Sequence, residues 1–244
     1  MRILTLDIET SPNRGYAFRV WQNNMMPNQI IEPTYMLSWA AKWLGEPQSK
    51  VVYRSFRDQD CHTLLHSMLC EADMLVTYNG DKFDLRHINR EFVERNMPRP
   101  RPTASVDLLK TVKKMFCFPH NRLDYVCSEL LAQRKLETGG FDLWPQFMDG
   151  DEKAIKTMRK YNIKDVVLTE KLYKYLRGWI PNHPNVANLE NVEMDDLGID
   201  YDCGTCGSKK IELHRPRRTR CFLIRTYRCK GCGAWHDGKR KKVA

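Results

Sequence analysis

The 244-residue chain has no apolar run long enough to cross a bilayer, so a membrane-spanning helix is excluded. It has no signal-peptide pattern either: Met1-Arg2 leads straight into the strand-like ILTLDIET. These two absences make the cytoplasm the default location, with no membrane partner. Internal repeats and low-complexity tracts are missing, which leaves a globular domain. The seven histidines show no metal-ligand spacing and none is assigned to catalysis. Residues 1–200 also lack net charge, with 27 Lys/Arg against 27 Asp/Glu.

The whole formal charge of +10 therefore sits in residues 201–244, with 13 Lys/Arg against 3 Asp/Glu. A neutral body with a basic end points to a polyanionic partner, above all nucleic acid; the alternative is a solvated basic end. Cysteine is unevenly placed too. Cys61, Cys70, Cys117 and Cys127 are scattered through helical or apolar stretches, where a buried thiol acts as a small hydrophobe. Cys203, Cys206, Cys221, Cys229 and Cys232 crowd into the last fifth, which favours metal over disulfides in a chain without an export signal.

The remaining pattern is that of an α/β domain with a mixed sheet. Strands are expected at 2–9, at TYMLSWAAKWL and at KVVYRSF, with a long excursion through Met25, Met26 and Pro27 between the first two. A helix over CHTLLHSMLCEA, a strand MLVTYN, a helix DLRHINREFVERN and a strand SVDLL follow, the last after the Pro-rich MPRPRPTA. Three helical patterns close the body: LLKTVKKMF, RLDYVCSELLA and about 151–176. The stretch PNHPNVANLENVEMDDLGID has no sustained period and reads as a linker over 181–200, between a first domain at 1–180 and a second at 201–244.

Three acidic groups strain a purely structural reading. Asp7 and Glu9 alternate on an apolar strand and so share one face; their repulsion near a core calls for a compensating positive charge. Asn79-Gly80 is a turn after a strand, and Asp84 stands at the start of the next helix, where capping is by itself the better explanation. Tyr161 and Asp165, four apart, share a helix face. Asp81 reads as a solvated turn residue and Asp107 as structural.

In that order, Asp7-Ile8-Glu9, Asn79-Gly80-Asp81-Lys82-Phe83-Asp84 and Tyr161-Asn162-Ile163-Lys164-Asp165 resemble the three exonuclease motifs of the DEDD superfamily. The tyrosine of the last motif is similar to the branch that includes the proofreading domains of family B DNA polymerases. The resemblance covers residues 1–180 and implies a ribonuclease-H-like fold and 3′–5′ exonuclease activity. It implies Asp7, Glu9, Asp84 and Asp165 as ligands of two Mg²⁺ or Mn²⁺ ions for an in-line phosphodiester displacement. Asp7 would bridge both ions and Tyr161 would orient the attacking water. Asn79 could position the substrate strand or serve the turn alone; Phe83 could stack on substrate or anchor the core. DNA is placed slightly ahead of RNA. A structure-specific endonuclease and a non-catalytic binding module remain the alternatives.

The tail carries Cys203-x-x-Cys206 and Cys229-x-x-Cys232, 22 residues apart and each followed by Gly. This pattern resembles a zinc ribbon and implies one structural Zn²⁺ on the four thiolates, with Cys221 left as a core thiol. Arg215, Arg217, Arg218, Arg220, Arg225 and Arg228, with Tyr227 and Trp235, offer phosphate contacts and stacking surfaces. A ribbon used for protein contacts is the other reading.

Overall fold

The computed structural model describes the chain except residues 20, 22, 23, 182, 185–202, 204, 207 and 244. Most of the expected linker, and Gly207 after the first CxxC, therefore lie outside the described residues. The first strand, β1 (Ile3–Thr10), runs through the middle of a five-stranded sheet. A short pair, β2 (Arg14–Gly15) and β3 (Ile30–Glu32), borders the excursion, and β4 (Met36–Trp43) and β5 (Val52–Ser55) follow. Next come α1 (Cys61–Glu71), β6 (Met74–Thr77), α2 (Asp84–Glu94) and β7 (Ala104–Asp107). Four helices complete the body: α3 (Leu108–Met115), α4 (Leu123–Leu131), α5 (Leu143–Asp149) and α6 (Glu152–Leu176).

The sheet order is β5-β4-β1-β6-β7, with β1 antiparallel to β4 and parallel to β6. Alternation decides what each face of β1 meets. Leu4, Leu6 and Ile8 pack against Leu65, Met68 and Leu69 of α1 and Ile88 and Phe92 of α2. Ile3, on the opposite face, joins Leu168, Leu172 and Tyr173 of α6. Asp7 and Glu9 share that second face and so look toward α6.

Helix α6 lies across β4, β1 and β6. Asp151 caps its start by accepting from the Ala154 N–H at 2.7 Å. A buried ion pair, Lys42 of β4 with Glu170 of α6, pins the two elements together. At the other end of the sheet Asp107 caps α3 through the Leu109 N–H, in line with its structural reading.

The C-terminal residues form a separate three-stranded antiparallel sheet, β10-β9-β8, from β8 (Ile211–Arg218), β9 (Phe222–Cys229) and β10 (Trp235–Lys242). Its buried residues are few: Cys203, Leu223, Ile224, Thr226, Tyr227 and Cys229. Of the scattered cysteines, Cys61 and Cys127 are buried as expected of small hydrophobes, whereas Cys117 is exposed, on the loop after α3. Among the described residues no helix is long and apolar enough to cross a membrane.

Candidate active site

The acids converge where the carboxyl ends of parallel β1 and β6 open toward α6, the usual place for a site in such sheets. Carboxylate oxygens of Asp7, Glu9 and Asp165 lie within 4.8 Å of one another. Asp84 stands beside this trio without joining it. It does not act as a conventional cap: its Oδ1 accepts the Ile8 backbone N–H at 3.0 Å, tying the start of α2 to β1. The turn before α2 explains the Asn79-Gly80 pair. Asn79 adopts a left-handed backbone, φ 69°, and donates its N–H to Asp107 at 2.8 Å. Gly80 is required because a Cβ there would come within 2.3 Å of the Thr77 side chain.

Repulsion and burial set the charge state. Burial, then Asp165, Asp84 and Glu9, push the Asp7 carboxyl well above the carboxylate range. Burial and Asp165 push Glu9 up to about 8. Burial pushes Asp84 up to about 7 against the pull of the Ile8 N–H. Burial also raises Asp165, although Lys135 works in the other direction. The Tyr161 phenol is raised by burial and by Asp165, so at neutral pH it is a hydrogen-bond donor and not a base.

Three residues to which the motifs assign no role complete the site. Lys135, from the loop between α4 and α5, forms an ion pair with Asp165 and sits 5.1 Å over the Tyr161 ring. Asn162 donates to the Asp7 carboxylate at 2.7 Å and accepts from the Ser38 hydroxyl at 3.2 Å, fixing Asp7 between α6 and β4. Trp144 of α5 pulls the Glu9 carboxyl back toward its ionised form and meets Tyr161 edge-on. Asn162 belongs to the Tyr161–Asp165 motif; Lys135, one of 40 Lys/Arg, and Trp144 carry no local signal in the sequence.

The other expected residues are placed as follows. Asn79 lines a cleft of about 730 Å³ that also reaches Lys135 and Tyr161. Phe83 is partly exposed, 38%, and packs its ring on His87. Asp81 is not simply solvated: it pairs with Lys110 and accepts from Ser105.

A divalent cation fits this donor set. All the ligands are oxygens, and Oδ1 of Asp165 is buried with no hydrogen-bond partner. The Lys135 ammonium already shows that the cluster draws a positive charge to itself. At the C-terminal end, Cys203, Cys206, Cys229 and Cys232 form a second cluster. The Sγ atoms of Cys203 and Cys232 are 3.7 Å apart, as are those of Cys206 and Cys229. Thiolates about 2.3 Å from a tetrahedral metal would be about 3.8 Å from each other. Burial alone would raise the Cys203 thiol, yet the N–H groups of Thr205 and Cys206 and the His236 ring bring it down to about 5. That ring, 3.1 Å from the sulfur, is the one histidine beside either cluster among the described residues.

The family model described as RNase_H superfamily matches residues 5–177. The chain belongs to the RNase_H superfamily. Its fold is also similar to that of the family B DNA polymerase from the hyperthermophilic archaeon Pyrobaculum calidifontis, at 19% identity and a TM-score of 0.54. The likeness covers 72% of this chain and 24% of the polymerase, so the chain spans about a quarter of that protein. No curated protein matches the chain. The superfamily match covers β1 to α6, the elements that carry all four acids, and stops before the cysteine cluster.

The raised carboxyls yield a pH prediction for the metal-free protein. An unfolded Glu titrates near 4.3, roughly, and folded Glu9 near about 8. The folded state therefore holds a proton that the unfolded state releases, and Glu9 costs stability progressively as pH rises from about 4.3 to about 8. The melting temperature of wild type should fall relative to Glu9→Gln across that window, and Mg²⁺ should remove the difference. Parallel melting curves of the two proteins would refute this.

Proposed function

We propose that the chain is a metal-dependent 3′–5′ exonuclease acting on nucleic acid, DNA ahead of RNA. Residues 1–180 would be the catalytic unit, 181–200 a linker and 201–244 a basic zinc ribbon that helps hold the substrate. The observation that carries the reading is the trio Asp7, Glu9 and Asp165 gathered around a lysine ammonium, with one Asp165 oxygen left bare, on a RNase_H-superfamily sheet.

Asp7, Glu9, Asp84 and Asp165 would hold divalent cations, which supply the positive charge that stabilises an in-line phosphodiester displacement. The protein's own groups do the rest. Asn162 and Ser38 fix the Asp7 carboxylate, and the Ile8 N–H fixes Asp84. Tyr161, kept protonated, offers its hydroxyl to orient the attacking water. Lys135, which pairs with Asp165 and lines the same cleft as Tyr161, would offer its ammonium to a phosphate oxygen of the substrate. Asn79, on the cleft that reaches Tyr161, would position a terminal nucleotide, and exposed Phe83 would stack on it.

The deciding experiment compares 3′-labelled single-stranded DNA, duplex DNA, RNA and a circular single strand, with and without Mg²⁺. Release of labelled mononucleotide from linear strands, and a circle left intact, is the expected result. Cleavage of the circle would replace this reading with the endonuclease one. Absence of Mn²⁺ binding by calorimetry would replace it with the non-catalytic one.

A further inference from the structure

Polar contacts seat the C-terminal sheet on the body. Arg215 donates to the Glu71 carbonyl at 2.9 Å, Arg101 to the Arg215 carbonyl at 3.3 Å, and the Trp235 indole to the Arg99 carbonyl at 3.2 Å. Arg101 is itself buried, and its guanidinium also reaches the carbonyls of Cys70 and Ala72. The seat lies beside β7, the edge strand of the large sheet.

Next to it, the turn from β8 to β9 and Ala104-Ser105 of β7 border a cleft of about 780 Å³. Its charged lining is Arg217, Arg218 and Arg220, with no acid. Ser105 also lines a second cleft of about 220 Å³, which carries Lys110 and Lys114 opposite Asp81 and Asp107. The Asp107 carboxylate holds the N–H groups of Asn79 and Leu109, and both residues line the third cleft, which ends at Lys135 and Tyr161.

We propose that these three clefts are one track for the single-stranded part of a nucleic-acid substrate, from the C-terminal sheet along the β7 edge to the acids. The proposal rests on the nuclease reading above and names the path by which substrate reaches that site. Cations come from both modules, five against two acids in the first two clefts, which suits a phosphate backbone. Lys110 and Arg217 are already held by Asp81 and Asp237. Lys114 and Arg220 are exposed and have no ion-pair partner among the described residues, so their charges are available. The narrow middle cleft suits one strand.

The test uses the full-length protein with Lys114→Gln/Arg220→Gln. Binding of fluorescein-labelled single strands of about twenty nucleotides, in Ca²⁺ in place of Mg²⁺, is followed by anisotropy over a range of salt. The dissociation constant should rise about ten-fold, and the salt slope should fall by about 1.4, or roughly 0.7 for each lost contact. Hydrolysis of an oligomer of about four nucleotides in Mg²⁺ should not change. Ser105→Trp, which obstructs the middle cleft, should slow digestion of the long strand alone.

An unchanged salt slope would overturn the track, as would tighter binding of polyglutamate than of the oligonucleotide. A wild-type protein that binds through Lys114 and Arg220 but never cleaves would keep the track and sink the nuclease. Cleavage with an unchanged slope would do the reverse. Zinc content and melting curves of each variant check that it is folded.

Discussion

Asp7→Asn should abolish Mg²⁺-dependent release of nucleotides from a 3′-labelled strand while making the metal-free protein more stable. The two effects share one cause. Asp7 lies on the face of β1 that meets Asp165 and Glu9, and burial together with both neighbours and Asp84 opposes its ionised form. Asparagine keeps an oxygen for the Asn162 amide and removes the charge, so the cluster loses repulsion without losing its hydrogen bond. A gain of about 1 kcal/mol at pH 8 would raise the melting temperature by about 2–4 °C. Activity should fall at least about 10³-fold, or roughly 4 kcal/mol of barrier. Mg²⁺ should raise the melting temperature of wild type and leave that of the variant nearly unmoved. Retained activity would end the assignment of Asp7 as a ligand; a less stable variant would mean that the acids do not repel one another without added metal.

The second large effect is expected at the other cluster. The C-terminal sheet buries little beyond Leu223, Ile224, Thr226, Tyr227 and two cysteines, too small a core to hold three strands rich in Lys and Arg. A four-thiolate metal would supply about 10 kcal/mol or more of folding free energy. Cys229 is fully buried, exchanges backbone bonds with Ala234 and Gly233, and accepts the Gly231 N–H on its sulfur at 3.3 Å. If the four thiolates hold zinc as proposed, Cys229→Ser, or chelation of the wild type, should remove it and expose residues 205–243 to protease while the body keeps its own melting transition. A zinc-free C-terminal sheet as resistant to protease as the loaded one would show that its strands stand without metal.

Much of the body was legible because its signals are local. The alternation in ILTLDIET gives a strand with both acids on one face, and the run over 151–176 gives a helix, observed as α6 at Glu152–Leu176. The compensating charge that this strand calls for was not legible. Lys135, the cation that pairs with Asp165, is brought in by a loop whose sequence has no period and whose position depends on α4 and α5. Helix α5 escaped notice because it is seven residues long and owes its burial to Leu143 and Phe147. Cationic β10 looks in sequence like a solvated charge run; its pairing to β9 makes it a strand. The Pro-rich stretch around Arg101 looked like a separator, yet its arginine is buried under the C-terminal sheet. In each case a long-range contact overrides a correct local description.

Helix α6 is about 37 Å long, from its 25 residues at about 1.5 Å each. Tyr161, Asn162 and Asp165 sit well inside it, more than two turns from either end. Helix ends fray within a turn, and functional loops usually exchange their amide hydrogens early because they belong to the least stable parts of a fold. Here these three side chains ride on backbone that should be among the last to exchange deuterium. The helix keeps these three side chains in register, and Lys135 comes to them from the segment between α4 and α5. The site thus has one wall on a long continuous helix and the other on a loop, and amide exchange should be slower at Tyr161 and Asp165 than at Lys135.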